Sequence, residues 1–215
     1  MQVAAIIPVK TFSKAKTRLG LPQDKTEELC AIMLDEVLSV LSSSERISKT
    51  VLVSKDEAAF KIGRKYNAVE IFDEHEKGVN EAVALAERYL VNDCIDTSVV
   101  FPQDIPMIMP QDVEMLLAFQ KWPNSMLVVP SRKFDGTNAL VRNPVNVVET
   151  HYDEDSYKIH LTTGKLRGVR TSFVLINRIM WDVDDRTDIE FIMRNMEKQD
   201  LTKKMQRLFD NLQTQ

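Results

Sequence analysis

Short apolar runs alternate with amphipathic stretches along this chain, and that alternation narrows the possible folds most. Val3-Ala-Ala-Ile-Ile-Pro-Val9 is continuously apolar, as suits a strand buried on both faces. Residues 50–53, 68–72, 98–101, 126–130 and 138–142 read as further strands. Between them the period changes. Leu29, Ile32, Met33, Val37, Val40 and Leu41 recur at helical spacing behind a predicted cap at Asp24-Lys-Thr-Glu27, so a helix is expected over 24–42. Helices are also expected over 56–65, 79–91, 110–120 and 156–166. Residues 169–183 read as extended. Thr187-Asp-Ile-Glu190 reads as a second capping box that opens the C-terminal helices.

Strands that alternate with helices predict a three-layer α/β/α fold around a mostly parallel sheet. With no linker-like stretch, residues 1–215 read as one domain. The net charge of -4 argues against nucleic acid or an anionic membrane as partner, so any anion site must be locally basic. Cys30 and Cys94 lack metal-ligand spacing and read as buried or partly buried free thiols of a cytoplasmic protein. The first apolar run is too short for a signal peptide or a membrane span.

Ligands of open α/β sheets bind beyond the carboxyl ends of the strands, so the chemistry is sought in those loops. The loop after the first strand is Lys10-Thr-Phe-Ser-Lys-Ala-Lys-Thr-Arg18. Its four cations could hold triphosphate oxygens, with Lys10, Lys16 and Arg18 the candidates, or could form a solvated basic loop. Neither glycine-rich phosphate motif, G-x-x-x-x-G-K-[ST] or G-x-G-x-x-G, is present.

Asp104 stands between Pro102 and Pro106, just past a strand. Asp182 and Asp184 are two residues apart. In an extended segment both would face one way, with Cα atoms about 6.5 Å apart. Such hard oxygen ligands suit Mg²⁺, although a turn before a helix would look the same. Gly136, Thr137 and Asn138 could present hydrogen-bonding groups to a phosphate or form a plain hairpin. Gly78-Val-Asn80 opens a helix that could receive an anion or a base edge through Asn80. His75, His151 and His160 lack metal spacing, and His160 reads as a structural or supporting residue one turn from Ser156.

Six motifs now stand in order: Ile7-Pro-Val-Lys10 with Ala15-Lys-Thr-Arg-Leu19; Gly78-Val-Asn80; Phe101-Pro-Gln-Asp-Ile-Pro106; Asp135-Gly-Thr-Asn-Ala-Leu140; Ser156-Tyr-Lys-Ile-His160; and Asp182-Val-Asp184. In this order the chain resembles the 2-phospho-L-lactate guanylyltransferase family of coenzyme F-420 biosynthesis. The resemblance implies a nucleotidyltransferase-type fold, as in nucleotide-diphospho-sugar transferases. It implies GTP and a small phosphorylated carboxylic acid as substrates, with phosphoenolpyruvate in place of phospholactate in related enzymes and 3-phosphoglycerate a further alternative. It implies metal binding by Asp104, Asp182 and Asp184, and an acceptor pocket at Thr137 and Ser156. A homodimer is the default for a small enzyme of this kind.

Four positions depart from the family pattern. Asp135 and Asp153 stand where glycine is usual, and an added carboxylate near an anionic substrate is unfavourable unless it points away. Asp185-Arg186 replaces the usual Thr-Pro. Two other readings share the main features: a nucleotide-sugar-dependent glycosyltransferase and a non-catalytic nucleotide-binding module.

Overall fold

The structure, a computed structural model, describes residues 2–153, 155–195 and 197–213. The ends of the expected 1–215 domain lie outside the described residues. Strand β1 (Val3–Pro8) is central because its short apolar side chains fit between two helical layers. Val3, Ala5 and Ile7 pack into one core with α1 (Gln23–Ser43), while Ala4 and Ile6 pack into another with α3 (Val79–Asn92). This alternation follows from the two-residue period of a strand.

On one side β1 pairs in parallel with β2 (Lys49–Ser54), which pairs in parallel with β3 (Val69–Phe72). On the other side it pairs in parallel with β4 (Thr97–Val100). Beyond β4 comes β6 (Thr137–Asn143), antiparallel to both β4 and β5 (Ser125–Pro130), and β5 pairs in parallel with β7 (Arg170–Phe173). The order is β3-β2-β1-β4-β6-β5-β7, with only β6 reversed among these strands. The expected three-layer, mostly parallel architecture is therefore observed. The reversal has a consequence for the site, because the first residues of β6 lie beside the last residues of its neighbours.

Helices α2 (Glu57–Lys65), α4 (Pro110–Ala118), α5 (Ser156–Leu166), α6 (Arg186–Arg194) and α7 (Gln199–Gln213) complete the layers. Two expected caps lie elsewhere. Helix α1 is preceded by Pro22, whose carbonyl accepts from the Thr26 backbone N–H and hydroxyl, so Asp24 sits inside the first turn. Helix α6 is capped by Asp185, which accepts from the N–H groups of Thr187 and Asp188 while Asp188 reaches back to the Asp185 N–H. The departure at residue 185 thus supplies the cap that Thr187 was expected to provide.

The expected extended stretch 169–183 is strand only over β7. The chain then turns at Ile176 and crosses the strand ends towards the sheet centre. Arg132 N–H, just after β5, donates to Met180 O, and Val183 N–H donates to Asp104 O, just after β4. Extended pairing stops because β7 is the sheet edge, while the residues that follow are needed above β5 and β4. Cys30 is buried as expected, whereas Cys94 is exposed, since it occupies the left-handed turn (φ 56°) that ends α3.

Helix α5 lies close to β5 and β7 because Gly164 has no side chain. A Cβ there would come within 2.3 Å of Thr171 Oγ1 and 2.8 Å of Met126 Cε. Thr171 cannot yield freely, as its hydroxyl donates to Val169 O. Gly164→Val should lower folding stability by about 1–3 kcal/mol in chemical denaturation. An unchanged midpoint would refute this close approach.

Candidate active site

The basic loop after β1 is pinned from below. Phe12, Ala15 and Leu19 are buried in the α1-side core, and the Phe12 N–H donates to Asp56 Oδ2, the carboxylate that also caps α2. Between these anchors Lys16 is forced into the left-handed region (φ 49°), an uncommon conformation for a side chain of this kind. Its ammonium lies 2.5 Å from Asp104 Oδ2 and 3.1 Å from Asp184 Oδ1.

Asp104 and the 182–184 segment meet through the backbone bond from Val183 N–H to Asp104 O. The buried Asp188 carboxylate accepts from the Asp184 and Asp185 N–H groups and pairs with Arg132, which lies over the Trp181 ring. Asn138 enters from the start of β6, and its Nδ2 donates to Asp182 Oδ1 at 3.1 Å.

This cluster holds three carboxylates, two of them paired with the Lys16 ammonium, and its electrostatics follow. Burial, then the Asp104 charge, hold the Asp182 carboxyl well above the usual carboxylate range, against the Asn138 hydrogen bond. Burial also opposes ionisation of Asp184, but the Lys16 ammonium outweighs it and keeps that carboxyl below its ordinary value. Burial alone would lower Lys16, yet Asp104 and Asp184 reverse the effect and keep it protonated. Asp104 Oδ1 is buried without a hydrogen-bond partner. An orphaned oxygen within an excess of hard carboxylate ligands suits a divalent cation such as Mg²⁺. Among the described residues no three acidic, His or Cys side chains form a preformed metal cage. Asp104 and Asp184 turn to the ammonium instead.

A cavity of about 660 Å³ opens beside the cluster. Lys10, Lys14, Lys16, Arg18, Asn80, Asp104, Thr137 and Asp184 line it, as do Lys77, Gln103, Tyr152 and Asp153. Thr137 reaches it because β6 runs backwards. Ser156, the first residue of α5, is not on the wall but lies directly behind, with its hydroxyl 3.0 Å from Thr137 Oγ1. Asn80 Oδ1 accepts from Tyr152 N–H. Gly136 is in the β5–β6 hairpin, and its N–H donates to Ser131 Oγ. Asp135 is not on the cavity wall and accepts from Ser131 Oγ, whereas the exposed Asp153 is on the wall.

Sequence reasoning missed Glu76. It accepts from the Thr11 N–H and hydroxyl and pairs with Lys14 and Lys55, tying the basic loop to the turn before α3. Although burial opposes ionisation, these donors push its pKa down to about 2. No spacing signal joins Thr11 to Glu76, 65 residues apart.

Asp182 takes up its proton in the folded state at a pH where the unfolded chain would have lost it. Its contribution to stability is present below its unfolded pKa of about 4 and is lost as pH rises towards neutrality. In metal-free buffer Asp182→Asn should therefore melt a few degrees above the parent protein at pH 8, with the difference closing by about pH 4. A variant that melts lower at pH 8 would contradict this charge assignment.

The sequence matches the family described as Guanylyl transferase CofC like over residues 3–208. It is 26% identical over 192 residues to a phosphoenolpyruvate guanylyltransferase of Sphaerobacter thermophilus, spanning 88% of this chain and 92% of the relative. It is 28% identical over 184 residues to a 2-phospho-L-lactate guanylyltransferase of a Methanocaldococcus species, spanning 85% and 76%. Among solved structures, a putative nucleotide-diphospho-sugar transferase from Desulfovibrio desulfuricans superposes with a TM-score of 0.75 over 98% of both chains at 16% identity. A 4-diphosphocytidyl-2C-methyl-D-erythritol synthase gives 0.61 at 15% identity, over 89% of this chain and 98% of that one. These likenesses agree with the expected nucleotidyltransferase-type fold. No helix among the described residues is long and apolar enough to cross a membrane. The chain belongs to the CofC-like guanylyl transferase family, a family of nucleotidyltransferase enzymes.

Proposed function

We propose that this enzyme joins the guanylyl group of GTP to 2-phospho-L-lactate, giving lactyl-2-diphospho-5'-guanosine and pyrophosphate for coenzyme F-420 assembly. Phosphoenolpyruvate is the alternative acceptor, because relatives of similar identity carry both names. The observation that carries the reading is one cavity lined both by the cations of the basic loop and by Asp104 and Asp184 of the carboxylate cluster. Binding a nucleotide alone would not require both.

An acceptor phosphate has a second pKa near 6, so its oxygen is already anionic at neutral pH and needs no general base. That oxygen attacks the α-phosphorus of GTP. The bond from α-phosphorus to the bridging oxygen breaks, and pyrophosphate leaves with the electron pair. The chain's task is to position two anions and offset their charge. Lys10, Lys14 and Arg18 lie on the cavity wall where β- and γ-phosphate oxygens can be held. Lys16 can add its ammonium to the departing pyrophosphate. Thr137, on the cavity wall with Ser156 behind it, is the group to meet the acceptor. Asp104, Asp182 and Asp184 are the groups to hold Mg²⁺, which when bound supplies positive charge between the reacting anions.

The test is pyrophosphate release from GTP and Mg²⁺ with 2-phospholactate, phosphoenolpyruvate, 3-phosphoglycerate or no acceptor. Release with one acid alone is expected, and it names the acceptor. No release with any acid from folded protein would reject the reading. Asp104→Asn should stay folded and lose about 100-fold or more in kcat. Retained turnover would remove Asp104 from the metal site. Lys16→Ala should raise the KM for GTP about tenfold, the loss expected for a charge-assisted hydrogen bond. An unchanged KM would leave Lys16 as a counter-ion only.

A further inference from the structure

Behind Thr137 lies a fully buried histidine that none of the steps above uses. His160 is on α5, and its two ring nitrogens have different partners. Nε2 is 2.9 Å from the backbone nitrogen of His151, and Nδ1 is 3.0 Å from Thr137 Oγ1. A backbone N–H can only donate, so Nε2 must carry the lone pair. In a neutral ring the proton is then on Nδ1 and is donated to Thr137. Burial first, then the positive charge of Arg142 and the neighbouring His151, keep the ring neutral by pushing its pKa down to about 3. Arg142 is itself buried and paired with Glu87, and the Tyr152 ring stands edge-on to His160 with centroids 5.1 Å apart.

The consequence follows from counting protons. Thr137 Oγ1 accepts from His160 Nδ1–H and from the Ser156 hydroxyl. Both of its lone pairs are then occupied, and its own proton is left for the cavity that Thr137 lines. Were the Ser156–Thr137 bond reversed, the free proton would be on Ser156 behind the wall, so the donor on the wall requires Ser156 to donate as well as this histidine tautomer. With the opposite histidine tautomer the ring would take the Thr137 proton, and the pair would face the cavity as acceptors only. Such a face would repel a phosphate or carboxylate oxygen.

We propose that His160 is a positioning residue for the acceptor acid: its tautomer, set by the His151 backbone N–H, makes the Thr137–Ser156 pair a hydrogen-bond donor to an anionic oxygen. The neighbouring backbone group acts in the same sense. Tyr152 N–H holds Asn80 Oδ1, which leaves the Asn80 Nδ2 donors to the same cavity. Two successive N–H groups, at residues 151 and 152, therefore orient two polar side chains so that each offers donors.

This inference rests on the proposed acceptor reading only for its kinetic arm, so the tautomer is measured first. Long-range ¹H–¹⁵N correlation on the ¹⁵N-labelled protein at pH 7.5 should show His160 with a protonated Nδ1 and an unprotonated Nε2. The reverse tautomer, or a doubly protonated ring, would overturn the proposal even if the parent protein proved to transfer no guanylyl group. In the pyrophosphate-release assay His160→Phe, which has no donor, should raise the KM for the acceptor about tenfold and leave the KM for GTP within about twofold. His160→Asn, which can return an N–H near the Nδ1 position, should recover most of that loss. Equal effects of Phe and Asn, or parallel rises in both KM values, would reduce His160 to a packing residue. If His160→Phe fails to fold, the comparison of His160→Asn with Thr137→Val decides. Thr137→Val should lose about tenfold in acceptor KM where Asn does not, and equal losses would overturn the proposal.

Discussion

Like charges drawn together at the strand ends are the constraint around which the rest of this site is arranged. Asp104, Asp182 and Asp184 converge beside a single ammonium, that of Lys16. Carboxylates in such surroundings repel one another, and burial disfavours their charged forms further. The cluster persists because the backbone beneath it is tied down independently. Val183 is bonded to Asp104, and Asp188 holds the N–H groups of residues 184 and 185. Strain is also visible in the left-handed backbone of Lys16, which the packing of Phe12 and Leu19 on either side sustains. A rigid surround allows the site to keep charge that would otherwise disperse, and this charge is what a cationic partner or a polyphosphate–metal complex can use.

Sheet topology explains how residues from distant parts of the chain reach one cavity. Parallel strands deliver their following loops to one edge, which accounts for the Lys10–Arg18 loop and Asp104. Thr137 and Asn138 would be at the opposite edge if β6 were parallel, but its reversal brings its start to the loop edge. The 174–183 segment then crosses from the β7 edge over β5 to β4, carrying Asp182 and Asp184 with it. The cavity is thus assembled from six separate parts of the sequence, with one reversed strand and one crossing segment bringing in Thr137 and Asp184.

Several carboxylates here act as backbone staples, and their roles separate cleanly from those of the cluster. Asp56 caps α2 and holds the Phe12 N–H, Asp188 caps its own helix and fixes Asp184, and Glu76 ties the basic loop to the turn before α3. Each satisfies N–H groups that would otherwise be unpaired. Of the departures from the family pattern, Asp185 falls in this class by capping α6, whereas the Asp135 carboxylate accepts from the Ser131 hydroxyl. Of the departing carboxylates at 135, 153 and 185, Asp153 is the one on the cavity wall.

Local patterns made much of this protein legible in its sequence. The run Val3–Val9, the helical spacing of Leu29 to Leu41 and the alternation of the two determine a three-layer fold, because strand and helix periods are properties of neighbouring residues. The same locality placed Lys10, Lys16, Arg18 and Asp104 at the ligand edge. The caps at Pro22 and Asp185 were misplaced, since several polar residues could serve and only tertiary packing chooses among them. The reach of residues 169–183 was misread for a related reason: extended propensity cannot reveal that β7 is an edge strand with nothing further to pair with. Glu76, the crossing of residues 174–183 and the tautomer of His160 were decided only in three dimensions. Each depends on a partner far along the chain or on which nitrogen meets a backbone N–H. Sequence alone determined which segments are buried and which loops carry charge, while the tertiary structure decided which charges meet and which hydroxyl keeps its proton, because those depend on distances that no local period encodes.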